Sequence, residues 1–440
     1  MEKLIVPVTA ALLSTMAFPL TARGQSADAL IDKLVEKGIL TVKEANDLRE
    51  EADKNFTSAY QVKSGLPDWV TSLKWSGDLR GRYEGFYASN PAAVDRNRFQ
   101  YRLRAGLTVS MFDNLELGVR LASAGDTSGN PISSNQTLDN NANKKGLALD
   151  LAYGKWARST PHWDLAATVG KLENPWAFTP IVFDPDYTPE GLSQQLSYHL
   201  SSEHDLKLNL GEFILEERGT SSFDTYLVGA QLLFDSKWNE HWQSSVGFGA
   251  LAISGTRSLT VANGQLNIGE GNTRIGGSST NAPQYHFNPI IASGNVTYTL
   301  DEFPGYSGPF PIKVAAEYLN NPAVSSDNEG YSAKLTFGKA GKRRQWEVTY
   351  EYRELQADAI YEEFPESDFN AFTQTPLMSG GIGGFVNGTN IRGHIVRLSY
   401  SLFDPLTLAI TYWITENIRE NPVGSESDAS RLQIDAVWKF

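Results

Sequence analysis

Apolar and polar side chains alternate along the chain from residue 69 onward, and this period of two constrains the fold more than any other feature. In the segment 97–111, for example, Phe99 and Leu103 alternate with Arg102 and Arg104. Successive side chains of a β-strand point to opposite faces, so the segment predicts a strand with one apolar and one charged face. Such strands are typical of a barrel with lipid outside and a water-filled lumen inside.

Sixteen segments carry this pattern, an even number, as bacterial single-chain barrels require. Short connections such as 112–114 alternate with long ones such as 356–390, which predicts short periplasmic turns and long external loops. A closed barrel also pairs every backbone group that an open sheet would leave unpaired in lipid. We therefore predict an all-β transmembrane barrel of 16 antiparallel strands over residues 69–440. The predicted strands are 73–87, 97–111, 115–123, 146–156, 163–172, 191–200, 204–214, 223–234, 241–252, 289–300, 310–320, 329–338, 345–355, 391–402, 406–415 and 430–440.

Aromatic residues cluster where the predicted strands end. Amphipathic rings favour the level of the lipid headgroups, so we expect two girdles of lipid-facing aromatics. Ordinary strand aromatics, common in any β protein, are the alternative. The girdle candidates are Trp75, Tyr83, Trp156, Trp163, Trp238, Trp242, Trp346, Tyr350, Tyr352, Tyr400, Tyr412 and Trp413.

The amino-terminal region differs in character from the barrel. Residues 1–24 predict a signal peptide cleaved after Ala22 or Gly24, with a membrane anchor as the alternative. Residues 25–56 have a helical period and predict a short helix–turn–helix in the periplasm, followed by a linker over 57–68. Its apolar stripe predicts docking on the barrel, a coiled coil or contact with the cell wall, and a charged spacer is the alternative.

Composition excludes several classes of protein. The chain contains no cysteine, which rules out disulfide scaffolds, thiolate metal sites and thiol catalysis. Its formal net charge of −13 argues against a nucleic-acid partner. Only Leu4–Leu20 is long and apolar enough to resemble a membrane helix, so a helical membrane bundle is excluded.

The last segment, 432–440, has Leu432, Ile434, Trp438 and Phe440 on one face and ends in an aromatic residue. In this respect the chain resembles outer-membrane β-barrel proteins. The resemblance implies that Trp438 and Phe440 belong to a signal read by the barrel-assembly machinery, and that the chain resides in the outer membrane of a Gram-negative bacterium.

Four further segments carry a closer resemblance. They are VGKLENPW at 169–176, FDPDYTPEGL at 183–192, GDLRGRYE at 77–84 and KGILT at 37–41. With them the chain resembles the putative-porin family of Gram-negative bacteria. The resemblance implies a passive diffusion channel for small hydrophilic solutes and ions and, by analogy with general porins, a homotrimer. It leaves the preferred solute open.

The connection 173–190 is the third one on the long-loop side. In general porins, which this chain resembles, the third external loop folds inward and narrows the pore. Here the connection carries the acids Glu173, Asp184, Asp186 and Glu190. The polar faces of the first three strands carry Arg80, Arg82, Arg98, Arg102, Arg104 and Arg120.

We call these six arginines the arginine ladder. Acids facing the arginine ladder across the lumen would set up a transverse electric field in which polar solutes align. Alternatives are in-plane ion pairs of the arginines with Asp78, Glu84 and Glu116, and simple turn chemistry for the loop acids. A Ca²⁺ site at Asp184 and Asp186 is a weaker possibility, because the spacing of a calcium loop is missing.

The sequence predicts no enzyme, no cofactor and no metal site. None of the six histidines lies in a hydrolase or metalloprotease motif. A structural or adhesive barrel with a plugged lumen and a cell-wall-binding helical arm is the alternative to a channel.

Overall fold

The computed structural model describes residues 66–124, 132–139, 141–219, 221–260, 269–278, 280–374, 383–420 and 423–440. The predicted signal peptide, helix–turn–helix and most of the linker lie outside the described residues. The chain divides into two compact units, 1–71 and 72–440, and only residues 66–71 of the first are described. No helix of the described residues is long and apolar enough to cross a membrane.

Sixteen long strands form the second unit, and each one lies close to its predicted position. They are β1 Val70–Ala88, β2 Arg96–Met111, β3 Leu115–Ala124, β4 Gly146–Ser159, β5 Trp163–Lys171, β6 Glu190–His199, β7 His204–Glu216, β8 Thr225–Lys237, β9 Trp242–Ile253, β10 Ile290–Leu300, β11 Phe310–Asn320, β12 Glu329–Gly338, β13 Trp346–Leu355, β14 Ile391–Phe403, β15 Leu406–Asn417 and β16 Ala429–Lys439. Short strands also lie in three of the connections, at Gln136–Thr137, Ala371–Thr373 and Gly384–Val386.

Each long strand pairs with the next in the sequence, and β1 pairs with β16 to close the barrel. Closure is antiparallel, with Asp78 opposite Lys439 and Ala88 opposite Ala429. The backbone N–H of Gly77 donates to the carbonyl of Phe440 at 2.9 Å, and the N–H of Phe440 donates back to Gly77 at 3.1 Å. The predicted all-β barrel of 16 antiparallel strands is therefore confirmed.

The alternation of side chains separates an apolar outer wall from a polar inner wall. On β3, Leu117, Val119 and Leu121 are exposed on the outside, as expected for a surface in contact with lipid. Most girdle aromatics are exposed on the same outer face, including Trp75 and Trp242.

The prediction was wrong for Trp413. Its side chain is buried on the inner wall of β15, where it packs with Ile391 and Ile395 of β14. The Arg431 guanidinium lies 5.7 Å from the centre of its ring. The position of Trp413 in the strand, two residues from the inward-facing Thr411, determines this orientation, because side chains two apart share a face.

Three long connections, 172–189, 254–289 and 356–390, pack together and against the inner wall of β7–β13. They share one cluster of buried apolar side chains, which we call the inner core. The fully buried Arg274 and Glu362 form an ion pair that joins the second and third connections. The inner core consists of Leu172, Trp176, Ile181, Val182, Phe183, Phe213, Leu227, Leu251, Ile253, Leu259, Phe287, Ile291, Leu319, Leu355, Ala359, Ile360, Tyr361 and Phe364.

Candidate functional site

The first half of connection 172–189 is anchored on the inner wall of β7–β9. Trp176 packs against Gly211 and Gly229, where a Cβ would come within 2.7 and 2.5 Å of its ring. Phe178 occupies the equivalent space over Gly249. These glycines leave room on the inner wall for large aromatic rings, so the connection lies flat against it.

Two buried polar side chains of the wall fix the backbone of the same segment. Gln231 Oε1 accepts a hydrogen bond from the Ala177 N–H at 2.8 Å. Glu317 on β11 accepts one from the Thr179 N–H at 3.0 Å and one from the Thr179 hydroxyl at 2.5 Å. Backbone groups leaving a strand need such partners when they are buried.

The middle of the connection packs against residues 364–367 of the third long connection. The rings of Phe183 and Phe364 lie 5.0 Å apart, and the Asp184 N–H donates to the Phe364 carbonyl at 2.6 Å. Asp184 Oδ2 accepts a hydrogen bond from the Ser367 N–H at 3.0 Å. Burial, reinforced by the charge of Glu366, raises the pKa of Asp184 to about 8. The two connections therefore share a buried carboxyl group that holds its proton at neutral pH.

Asp186 reaches the opposite wall of the barrel. Its carboxylate accepts hydrogen bonds at 2.9 Å from Arg102 and from Arg104 of β2. Both arginines also bind Asp78 of β1, at 2.8 and 2.6 Å. Connection 172–189 thus contacts β7–β11 through its first half and β2 through Asp186.

The other predicted acids have different partners. Glu173 accepts a hydrogen bond from Arg120 at 2.8 Å, and Arg120 also binds Asp150 at 2.5 Å. Glu190 pairs with Lys171 at 3.1 Å, and Asp184 contacts Ser367 rather than an arginine. Two of the four loop acids, Glu173 and Asp186, therefore contact the arginine ladder directly.

The remaining arginines of the ladder pair within the wall or with the third connection. Arg98 binds Glu84, as the alternative of in-plane pairing expects. Arg82 binds Asp435 at 2.7 Å and Asp368 at 3.3 Å. Arg80 donates to Asn135 Oδ1 at 2.5 Å. The third proposed in-plane partner, Glu116, instead accepts a hydrogen bond from the Tyr153 hydroxyl.

Sequence reasoning missed four members of this charge network. Arg431 and Asp435 occupy inward positions of β16, and the alternation of the last strand would have identified them. Asp150 lies on the polar face of β4, and the alternation of that strand would have identified it as well. Asp368, which binds Arg82 and Arg431, lies in a long connection with no periodicity, so no local signal marks it.

Water reaches one end of the network more than the other. The side chain of Glu173 is 70% exposed and that of Asp186 is 27% exposed, whereas that of Arg82 is 4% exposed. The accessible charged groups therefore lie between connection 172–189 and β2–β4. No group of three or more Asp, Glu or His side chains within the described ranges is arranged to hold a metal ion.

Comparison with known families decides the identity of the chain. The model of the family described as "Putative porin" matches residues 89–258 and 311–440, more than half of the chain. The chain belongs to this porin family. The family is one of channel proteins, and it indicates the outer membrane of a Gram-negative bacterium. No relative matched among the curated proteins.

Comparison with solved structures also finds porins. This porin is similar to Pseudomonas putida OprB in its high-pH structure, with a TM-score of 0.53. The two sequences are 9% identical, and the match covers 88% of this chain and 97% of that chain. Salmonella typhi OmpF in complex with daunomycin matches at 9% identity over 84% of this chain and 97% of that chain, with a TM-score of 0.46. A mutant of Rhodopseudomonas blastica porin matches at 10% identity over 84% of this chain and all of that chain, with a TM-score of 0.42. At such identity, the likeness to OprB establishes the fold alone.

Proposed function

We propose that this porin forms a water-filled passive diffusion channel for small hydrophilic solutes and ions in the outer membrane. Connection 173–190 is the constriction: it spans the lumen from β7–β11 to β2, and solutes pass beside its contact with Arg102 and Arg104. The observation that carries the proposal is the contact of Asp186 with Arg102 and Arg104, made by a segment whose other half is anchored on β7–β11. This arrangement leaves the solvent-exposed charges of the connection itself, Glu173 and Asp186, beside β2–β4.

The charges at the proposed constriction balance. Seven arginines (80, 82, 98, 102, 104, 120 and 431) face seven acids (Asp78, Glu84, Asp150, Glu173, Asp186, Asp368 and Asp435). Paired charges of both signs across a narrow passage favour polar solutes, because apolar ones displace ordered water without replacing its interactions. We therefore propose selection by size and polarity at this point, with the ionic preference determined elsewhere in the lumen.

Osmotic swelling of proteoliposomes tests the proposal. Vesicles containing the folded mature protein are diluted into isotonic solutions of neutral sugars of increasing size, with protein-free vesicles as the control. A channel predicts rapid swelling with small sugars and progressively slower swelling with larger ones. Swelling no faster than in protein-free vesicles would exclude passive diffusion of solutes.

The inner core supports a second candidate, a structural or adhesive barrel with a plugged lumen. Three connections pack against the inner wall of β7–β13, and the fully buried Arg274–Glu362 pair joins two of them. Under this alternative the exposed loops and the amino-terminal helical arm would bind external or cell-wall partners. Heat-modifiable, folded protein that gives no swelling would favour this alternative.

We further propose that the porin assembles as a homotrimer surrounded by outer-membrane lipid, with its amino-terminal helices in the periplasm. Trp438 and Phe440, both exposed on β16 and at the carboxyl end, are available to the barrel-assembly machinery. Cross-linking of the protein in outer-membrane vesicles, followed by gel electrophoresis without heating, tests the trimer. A ladder ending at the dimer or monomer would contradict it.

A further inference from the structure

A row of inward-facing residues crosses four adjacent strands, β11–β14, on a part of the inner wall outside the arginine ladder of β1–β3. Lys313 on β11 pairs with Thr336, Thr336 pairs with Thr349, and Thr349 pairs with Arg397 on β14. We call these four residues the basic row. Two observations establish that it faces the lumen. Glu317, four residues after Lys313, binds connection 172–189, and Ile395, two residues before Arg397, packs against the inward-facing Trp413.

Both cations of the row are exposed and lack an acidic partner. Lys313 and Arg397 are both exposed. No carboxylate of the described residues lies within 4.0 Å of the charged group of either side chain. Among the described residues, Arg397 donates to Ser399 Oγ alone, at 3.2 Å. The charged neighbours of Lys313 are Lys334 and Lys339, which are both positive. Together these groups make the wall at β11–β14 electropositive.

Two acids lie on β13 beside the row. Glu351 is already bound to Arg353 at 2.6 Å and to Lys334 at 3.1 Å, so its charge is neutralised. Glu347 lies opposite Gly338 on β12 and Ser399 on β14. It is two residues before Thr349, and therefore closer than the row to the rim of the barrel that carries the short turns. The turn at that rim adds Lys339, Lys342, Arg343 and Arg344, all exposed. The positive groups therefore outnumber the free acids from the rim to the row.

This wall differs from the arginine ladder in one decisive respect. On β1–β3 an acid engages every predicted arginine except Arg80, so little positive potential remains there for a solute. In the basic row the cations are free, and the hydroxyls of Thr336 and Thr349 lie 3.2 Å apart between them. Neighbouring strands are about 4.8 Å apart, so three strand steps separate Lys313 from Arg397 by about 14 Å between Cα atoms. Both side chains are long enough to lean over the threonine pair.

We propose that the basic row is a binding site for small oxyanions, carboxylates or phosphate, that pass through the channel. Thr336 and Thr349 donate hydrogen bonds to the anion, the guanidinium of Arg397 binds two of its oxygens, and Lys313 balances its charge. The inference rests on the proposed function in that it names a solute class for the channel. It also explains how a chain with a net charge of −13 admits anions, because the charges that line the path determine selectivity.

Single-channel recording in a planar bilayer tests the site. Inorganic phosphate, and acetate in a separate series, are titrated into chloride solution, and the concentration that halves the chloride current is measured. The variant Lys313→Gln/Arg397→Gln is compared with Lys155→Gln/Lys207→Gln, which removes the same charge from the inner walls of β4 and β7. Lys313→Arg keeps both positive charges and the Arg397 guanidinium, and it serves as the rescue variant.

We expect the half-blocking concentration of phosphate to rise about tenfold or more in the row variant, and to stay within about twofold in the control and rescue variants. A parallel shift for acetate would identify carboxylates as ligands, and a shift for phosphate alone would restrict the site to phosphate. Equal shifts in the row and control variants, or no shift in either, would overturn the site while leaving the channel intact.

Titration calorimetry separates the two proposals. Phosphate is titrated into the folded wild-type protein in detergent and into the row variant. Heat that is lost in the row variant supports the site even if no conductance is seen, in which case the channel proposal alone fails. If phosphate does not bind to the wild type, and if phosphate blocks the current of the wild type and of the row variant equally, the site is overturned.

Discussion

The ring of Trp176 lies against the backbone of Gly229, so closely that a Cβ on the glycine would be 2.5 Å from its Cζ2 atom. Trp176 belongs to the proposed constriction and Gly229 to the inner wall of β8. Because no side chain intervenes, the ring holds the first half of the connection flat on the wall. This contact keeps the first half of the connection on the inner wall of β7–β9, away from β2–β4.

The contact predicts the effect of Gly229→Ala. The added methyl group has to displace Trp176 or Leu251, and such overpacking costs about 1–3 kcal/mol. The connection would lift from the wall, so we expect a changed and less steady single-channel conductance. Gly81→Ala is the matched control, since nothing lies within 4 Å of its Cβ position. Identical current traces for the two variants would show that Trp176 does not position the constriction.

Asp186→Asn tests the contact of the constriction with β2. The substitution leaves Arg102 and Arg104 with Asp78 as their only described acidic partner. The passage gains positive charge, so the reversal potential in a salt gradient should shift toward anions, by a few-fold in permeability ratio. Asp95→Asn, the same change at an exposed residue of the connection 89–95 between β1 and β2, is the control and should cause no shift.

Neutralising the arginine ladder should act in the opposite direction. Replacing Arg80, Arg82, Arg102 and Arg104 together by glutamine leaves Asp78, Asp186 and Asp435 without these cationic partners. We expect ion selectivity to shift toward cations, read as a change in the reversal potential of folded protein. Unchanged reversal potentials would remove this face from the constriction.

The buried carboxyl group of Asp184 predicts a pH dependence. Its pKa is raised from 3.8 to about 8, chiefly by burial and then by Glu366, while hydrogen bonds from the Ser367 and Asp186 N–H groups oppose the shift. Because the packed state binds the proton more tightly, its contribution to packing is fully present below about pH 3.8 and is lost as the pH rises through about 8. The two connections should separate more often above that pH.

Current fluctuations of the wild type and of Asp184→Asn, recorded at pH 6 and pH 9, measure this effect. The asparagine resembles the protonated acid, so the variant should become noisier by less than the wild type does. Glu270, in the second connection, has a pKa raised to about 8 by burial and by Glu362, so some pH dependence should persist in the variant. Equal increases in noise in both proteins would contradict the role of Asp184.

The positions of the strands could be predicted from the sequence, whereas most contacts inside the barrel could not. Alternation is a local property, so every strand could be located from the sequence, including β14 after a connection of 35 residues (356–390). Trp413 was misassigned because its place near a strand end suggested a girdle, although its parity with Thr411 pointed inward. The contact of Trp176 with Gly229 and that of Asp368 with Arg82 join residues far apart in the chain, and no periodicity reports them.

The candidate constriction was predicted in part. The location of the acids in connection 173–190 followed from resemblance, and Glu173 and Asp186 do contact the arginines. The partners of Asp184 did not follow, because they depend on how the connection turns inside the barrel. Glu190 is the first residue of β6, and it pairs with Lys171 opposite it on β5. The free cations Lys313 and Arg397 stood in the sequence as ordinary strand residues. Only the register of β11–β14 brings them into one row.

Single-channel conductance of the purified mature protein in a planar bilayer, with a salt gradient, shows whether the barrel is an open channel. An open channel gives large, long-lived current steps, and the basic row should give a reversal potential that reports anion preference. Correctly folded, heat-modifiable protein that inserts but gives no steps would contradict an open channel, and the inner core would then be the plug of a closed barrel.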